Sequence, residues 1–170
     1  TLVFPKVQEL KKAEIIQHTD ELPFLFSIDD YNYFLLQAES TTTLDSYSFE
    51  KPTALRCCNP QDLCFAGMTA YHLYDWYRDN RFCGRCGHMM LHDHKERALV
   101  CPSCSNMIFP KISPAVIIGV KNGEYILLSR YAGREYKGRA LLAGFCEIGE
   151  TPEETVAREV MEEVGLKVKN

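Results

Sequence analysis

Long apolar runs are missing from this sequence: no stretch approaches the roughly 20 consecutive apolar residues that a membrane helix needs. An excess of one charge is missing too. Lys and Arg number 19 against 23 Asp and Glu, a net charge of −4, and neither half is strongly basic. No dedicated nucleic-acid surface is therefore expected, and a small polyanionic substrate would need cations supplied locally, by metals or a few Lys and Arg. No basic stretch followed by an apolar core opens the chain, so no secretory signal is expected. It begins at Thr1 rather than Met, which leaves room for an upstream segment. The 46% hydrophobic and 25% charged residues are ordinary for a soluble globular protein, and 170 residues suffice for one large domain or two small ones.

Cysteine, by contrast, is abundant, with eight in the chain. Four form two Cys-x-x-Cys pairs, Cys83/Cys86 and Cys101/Cys104, with 14 residues between. That is zinc-ribbon spacing: two tight turns deliver four thiolates to one tetrahedral Zn²⁺. Four sulfurs leave no open coordination position, so the expected site is structural. A redox motif would need one such pair before a helix, not two. His88, His92 and His94 lie between the pairs and are alternative ligands, but with four cysteines at hand they are expected elsewhere. Cys57, Cys58, Cys64 and Cys146 show no pairing pattern, and a reducing cytoplasm is the expected compartment.

Residues 1–65 read as a small β-rich domain without a catalytic pattern. Phe24, Phe26 and Ile28 alternate, as do Tyr31 and Tyr33, giving two strands joined by Asp29-Asp30 or one bulged stretch. A polar loop follows at 40–43. From 66 to about 80, Thr69, Ala70, Leu73, Trp76 and Tyr77 recur at helical spacing, and Trp76 is read as core rather than as a stacking platform. This helix leads into the zinc module, completing a second segment over 66–110. In the third, 111–170, apolar runs at 115–120 and 125–128 flank Asn122-Gly123, a hairpin signal. A loop is expected over 131–139 and a strand over 140–145.

Residues 151–164 read as a helix. Thr151 is a capping residue, Pro152 suits the first helical position, Glu154 completes a capping box and Gly165 ends the helix. With about 100° per residue, Glu162 and Glu163 lie about 60° and 40° either side of Glu159. The three carboxylates form one ridge beside a stripe of Val156, Val160 and Val164. Their repulsion costs helix stability unless cations neutralise it, and hard oxygen ligands suit Mg²⁺ or Mn²⁺.

From Gly144 the chain reads Gly, five residues, Glu150, seven residues, then Arg158-Glu159-Val160-Met161-Glu162-Glu163-Val164-Gly165-Leu166. This resembles the Nudix box at every defined position. The resemblance implies an α+β fold, a Nudix αβα sandwich preceded by the zinc ribbon and the small N-terminal domain. It implies metal ligation by Glu159, Glu163 and the Ala143 carbonyl, with Glu162 as a ligand or as the base for the attacking water. Glu150 and Arg158 would brace the loop against the helix, and Gly144 and Gly165 are the box's structural glycines.

Three further stretches resemble the NADH pyrophosphatase branch: Phe82-Cys83-Gly84-x-Cys86-Gly87-His88, Phe109-Pro110-x-Ile112-x-Pro114 and Leu142-Ala143-Gly144-Phe145. That likeness implies cleavage of NADH or NAD⁺ to nicotinamide mononucleotide and AMP, removal of NAD caps from RNA by some members, and a homodimer. Phe145 would stack on the nicotinamide ring. Phe109 stands where the branch usually has Tyr, keeping the ring without the hydroxyl. The sequence ends four residues after the box, at Asn170, where the branch continues with further strands, a helix and another metal-binding Glu. The chain is therefore expected to be a fragment with little activity alone. A Nudix hydrolase of another nucleoside diphosphate, such as ADP-ribose, and a non-hydrolytic nucleotide- or RNA-binding module are the alternatives.

Overall fold

Three apolar clusters are buried among the described residues, and the chain divides into compact units at Thr1–Pro110 and Lys111–Asn170. The computed structural model describes residues 2–38, 42–130, 132–133 and 138–169. The class is α+β, with short antiparallel sheets and few helices.

The first unit opens with helix α1 (Val7–Lys12), whose Leu10 packs with Ile16 and Leu22 in a small cluster. Strands β1 (Phe24–Ile28) and β2 (Tyr31–Phe34) pair antiparallel, Ser27 opposite Asn32. Both readings of this stretch coexist: a hairpin turns at Asp29-Asp30, and the register shifts between Phe24 and Phe26. Asp29 takes a φ of 49°, a left-handed conformation that Asp tolerates better than most residues. The polar loop expected at 40–43 falls partly on 39–41, outside the described residues.

Helix α2 (Gln61–Asp79) begins five residues before the periodicity starts. Its apolar face delivers Trp76 and Tyr77 to a core that also holds Leu25, Leu35, Cys83, Leu99 and Cys101. Trp76 is thus a core residue. The boundary expected at residue 65 falls inside α2, and the β1–β2 hairpin shares one core with the cysteine module. That module adds a three-stranded antiparallel sheet, β3 (Leu91–His92), β4 (Leu99–Val100) and β5 (Met107–Ile108).

One cysteine expectation needs correction. Cys58 and Cys64, which show no pairing pattern in the sequence, are joined by a disulfide, their Cα atoms 6.4 Å apart. The turn leading into α2 brings them together, and spacing alone does not encode that turn.

In the second unit, β6 (Ala115–Ile118) precedes a hairpin of β7 (Lys121–Asn122) and β8 (Tyr125–Ile126) that turns at Gly123, φ 58°. Strand β9 (Ser129–Arg130) pairs with β10 (Arg139–Ala140) across the expected loop, of which 131 and 134–137 lie outside the described residues. Strand β11 (Leu142–Phe145) pairs antiparallel with β6, Ala143 opposite Ile117. Helix α3 (Pro152–Val164) covers one face of this pair, burying Ile118, Leu142 and Val160 together. The opposite face leaves Ile117 and Phe145 exposed.

Candidate catalytic and metal centre

The start of α3 is built by its sequence. Thr151 Oγ1 accepts from the Glu154 amide at 3.2 Å, and Glu154 Oε2 accepts from the Thr151 amide at 2.8 Å, a reciprocal box that satisfies two end donors. Gly165 closes the helix at φ 68°. The loop before α3 is held by Glu150, whose Oε2 accepts from the Glu147 amide at 3.1 Å and from Thr155 Oγ1 at 2.8 Å.

Arg158 ties these parts together. Nε donates to Glu150 Oε1 at 2.8 Å and Nη2 to Glu150 Oε2 at 2.9 Å, a forked pair. Nη2 also donates to the Phe145 carbonyl at 2.9 Å, and Nη1 reaches Glu159 at 2.8 Å and Glu162 at 3.3 Å. These contacts match all five donors of a guanidinium. The Arg158 fork, helped by the Glu147 amide, pulls the Glu150 carboxyl down to about 2.

Glu159 is turned inward, its side chain 14% exposed, and its carboxylate lies where a side chain on Gly144 would have to go. This explains the first glycine of the box. Only a residue without Cβ lets the carboxylate lie against the backbone beside Ala143. Glu162 and Glu163 point outward from the same helix, so the three carboxylate groups share a ridge without converging. Among the described residues, only the four cysteines bring three or more His, Cys, Asp or Glu ligand atoms within 4.8 Å of one another. The Glu159 carboxylate cradled against Gly144 is a hard oxygen donor, the ligand type that a divalent cation such as Mg²⁺ takes.

Beside this helix an open cleft of ≈ 570 Å³ is lined by Ile112, Pro114, Phe145, Ile148 and Glu150, among others. Phe145 is 66% exposed there, so its ring is not core. Phe109 belongs to the first unit and is also exposed.

No motif in the sequence marks Thr155. It is fully buried, and its hydroxyl joins Glu150 to the Thr151 carbonyl, with Oγ1 3.0 Å from that oxygen. On the helical wheel it falls about 40° from Glu159, on the carboxylate ridge itself. Val164, expected on the apolar stripe, is partly exposed in the last turn.

In the first unit, sulfur–sulfur distances are 3.6 Å for Cys83–Cys104 and 3.4 Å for both Cys86–Cys101 and Cys86–Cys104. Zn–S bonds of about 2.3 Å put tetrahedral sulfurs about 3.8 Å apart, so the four thiols fit zinc with small adjustments. The Arg85 amide, 3.4 Å from Cys83 Sγ, helps draw that thiol down to about 6, toward the thiolate that a metal requires.

Both segments match known domain families. Residues 78–109 match the NADH pyrophosphatase zinc ribbon domain and residues 111–170 match the NUDIX domain. Over residues 78–170 the chain thus carries the zinc ribbon and the NUDIX domain that together mark the NADH pyrophosphatase branch. It is 46% identical over 98 residues to the NAD-capped RNA hydrolase NudC of Enterobacter sp. (strain 638), and 45% over 98 residues to that of Salmonella typhi. Each match covers 58% of this chain and 38% of the relative, so the chain spans well under half the length of those proteins. The four-cysteine cluster is the structural zinc site of this Nudix branch. No helix is long and apolar enough to cross a membrane among the described residues.

Proposed function

We propose that this chain is part of an enzyme that hydrolyses the pyrophosphate of NADH or NAD⁺, giving nicotinamide mononucleotide and AMP, and that also removes NAD caps from RNA. The observation that carries this reading is the seating of Glu159 on Gly144, within an Arg158 network, in a chain that also holds the branch's zinc ribbon. Glu159, Glu163 and the Ala143 carbonyl would hold Mg²⁺ or Mn²⁺. The metal would supply charge neutralisation of the pyrophosphate and a lowered pKa for bound water.

The remaining chemistry belongs to the chain's own groups. Glu162, 58% exposed and reached by Arg158 Nη1 at 3.3 Å, would accept a proton from the attacking water. Arg158 holds Glu159 and fixes the Phe145 carbonyl, so the ring that would stack on nicotinamide is anchored to the helix that would bind metal. Ile112 and Ile148 give the cleft the apolar lining that an aromatic base favours. Branch membership supports a cytoplasmic homodimer as the working form.

The test is steady-state release of AMP from NADH by the intact gene product with Mg²⁺ or Mn²⁺, beside Glu159→Gln. Metal-dependent turnover that collapses in the variant is expected. Turnover of ADP-ribose in place of NADH would change the substrate, and no turnover of any dinucleotide would leave a nucleotide-binding module.

A further inference from the structure

Three cysteines of the first unit take no part in the zinc site. Cys58 and Cys64 form a disulfide, and Cys57 beside them carries an exposed free thiol. An open cleft of ≈ 390 Å³ is lined by Glu50, Ala54, Cys57, Cys58 and Asn59, with Leu2 completing it. Cys58 is half-buried at its edge, whereas Cys64 is buried in the first turns of α2.

The bond ties a segment without buried residues to a helix anchored in the core. The 3-10 turn Pro52–Arg56 has no buried residue and no side-chain cap. It touches α2 where Leu55 packs on Gly67, so closely that a Cβ there would come within 2.9 Å of Leu55 Cδ2. The other end of α2 carries Trp76 and Tyr77 into the core shared with Cys83 and Cys101. Cys58 borders the open cleft, so a small thiol can reach this bond without unfolding α2, and exposed disulfides are the labile ones.

We propose that Cys58–Cys64 is a thiol–disulfide exchange site for low-molecular-weight thiols, and that its reduction releases the 52–57 segment from α2. An incoming thiolate RS⁻ bonds to Cys58 Sγ from the cleft as the Cys58–Cys64 bond breaks. The electron pair leaves on Cys64 Sγ. A second RS⁻ then displaces Cys58 Sγ, releasing RSSR and leaving two protein thiolates, which take up protons according to pH. Two electrons pass from the thiols to the protein. The site is independent of the pyrophosphatase reading.

The experiment equilibrates the zinc-loaded protein in buffers of reduced and oxidised glutathione, traps thiols with iodoacetamide and reads labelled peptides and amide hydrogen exchange by mass spectrometry. Cys58 and Cys64 should gain label together, in one transition, while the four zinc thiols stay protected. Exchange at the Ala54 and Cys57 amides should rise by at least about tenfold, as expected when the cross-link of a short loop is lost. Cys58→Ala/Cys64→Ala should reproduce the fast exchange without reductant, and Cys57→Ser should leave the transition in place. Label on Cys58 and Cys64 before any reductant is added would overturn the proposal. So would unchanged exchange at 52–57 after reduction, or loss of zinc protection in the same transition. These last readouts use the unsubstituted protein and stand even if the double variant does not fold.

Discussion

Glu159 stands in the space that a side chain on Gly144 would need, and Arg158 Nη1 holds it there at 2.8 Å. A single methyl group at 144 must therefore displace the carboxylate or push β11 away from α3. Gly144→Ala is expected to cost about 1–3 kcal/mol as overpacking. In the intact protein it should lower NADH hydrolysis at least about 100-fold, the scale of a misplaced catalytic group. Thermal melts and AMP release check the two effects separately.

Glu150 gives a pH signature. Its carboxyl is held at about 2 by Arg158 and the Glu147 amide, well below an unfolded carboxylate near 4.5. A depressed folded pKa stabilises fully above the unfolded value and is lost as pH falls toward about 2. The melting temperature of Glu150→Gln should thus fall short of wild type at neutral pH, with the gap closing as the pH drops from about 4.5 to about 2. A gap that does not narrow in that window would separate the stability of this loop from the charge of Glu150.

Thr155→Val keeps the shape of the buried side chain and removes the donor to Glu150 Oε2. A loss of about 1–3 kcal/mol is expected, as for a hydrogen bond to a charged partner, with Thr155→Ser near wild type. Urea melts of both variants measure the difference.

The zinc site should report through the chain's single tryptophan. Trp76 shares a buried core with Cys83 and Cys101, so chelation or Cys101→Ser should red-shift its fluorescence. The melting temperature of the first unit should fall by roughly 10 °C or more, because metal binding here is folding energy. Zinc content by elemental analysis should drop from one per chain toward none.

The two faces of the β6–β11 pair should respond differently. Leu142 is 1% exposed and packs under Val160, so Leu142→Ala should cost about 2–5 kcal/mol. Ile117, on the opposite face, is 76% exposed, and Ile117→Ala should change stability by less than about 0.5 kcal/mol. Denaturant midpoints of the two variants decide it.

Features carried by local chemistry could be read without coordinates. The cap at Thr151, the stop at Gly165, the turn at Gly123 and the paired cysteines each depend on a few adjacent residues, and each stands where the pattern puts it. Trp76 as core followed from helical period alone. The start of α2 was not legible, because Gln61, Asp62 and Leu63 precede the apolar face and its first turn carries no capping side chain. The edge of the first unit was also hidden, since Leu25 and Leu35 meet Trp76 only through packing between residues far apart in the chain.

Residue order alone thus set the ligand types and their spacing: four thiols for zinc, and a run of carboxylates on one helical face for harder cations. Tertiary structure decided the rest. It turned Glu159 inward onto Gly144 while leaving Glu162 and Glu163 toward solvent, buried Thr155 under Glu150, and brought Cys58 within bonding distance of Cys64. The physical reason is that period and spacing fix directions along one element, whereas contacts between elements depend on packing, which no local pattern records.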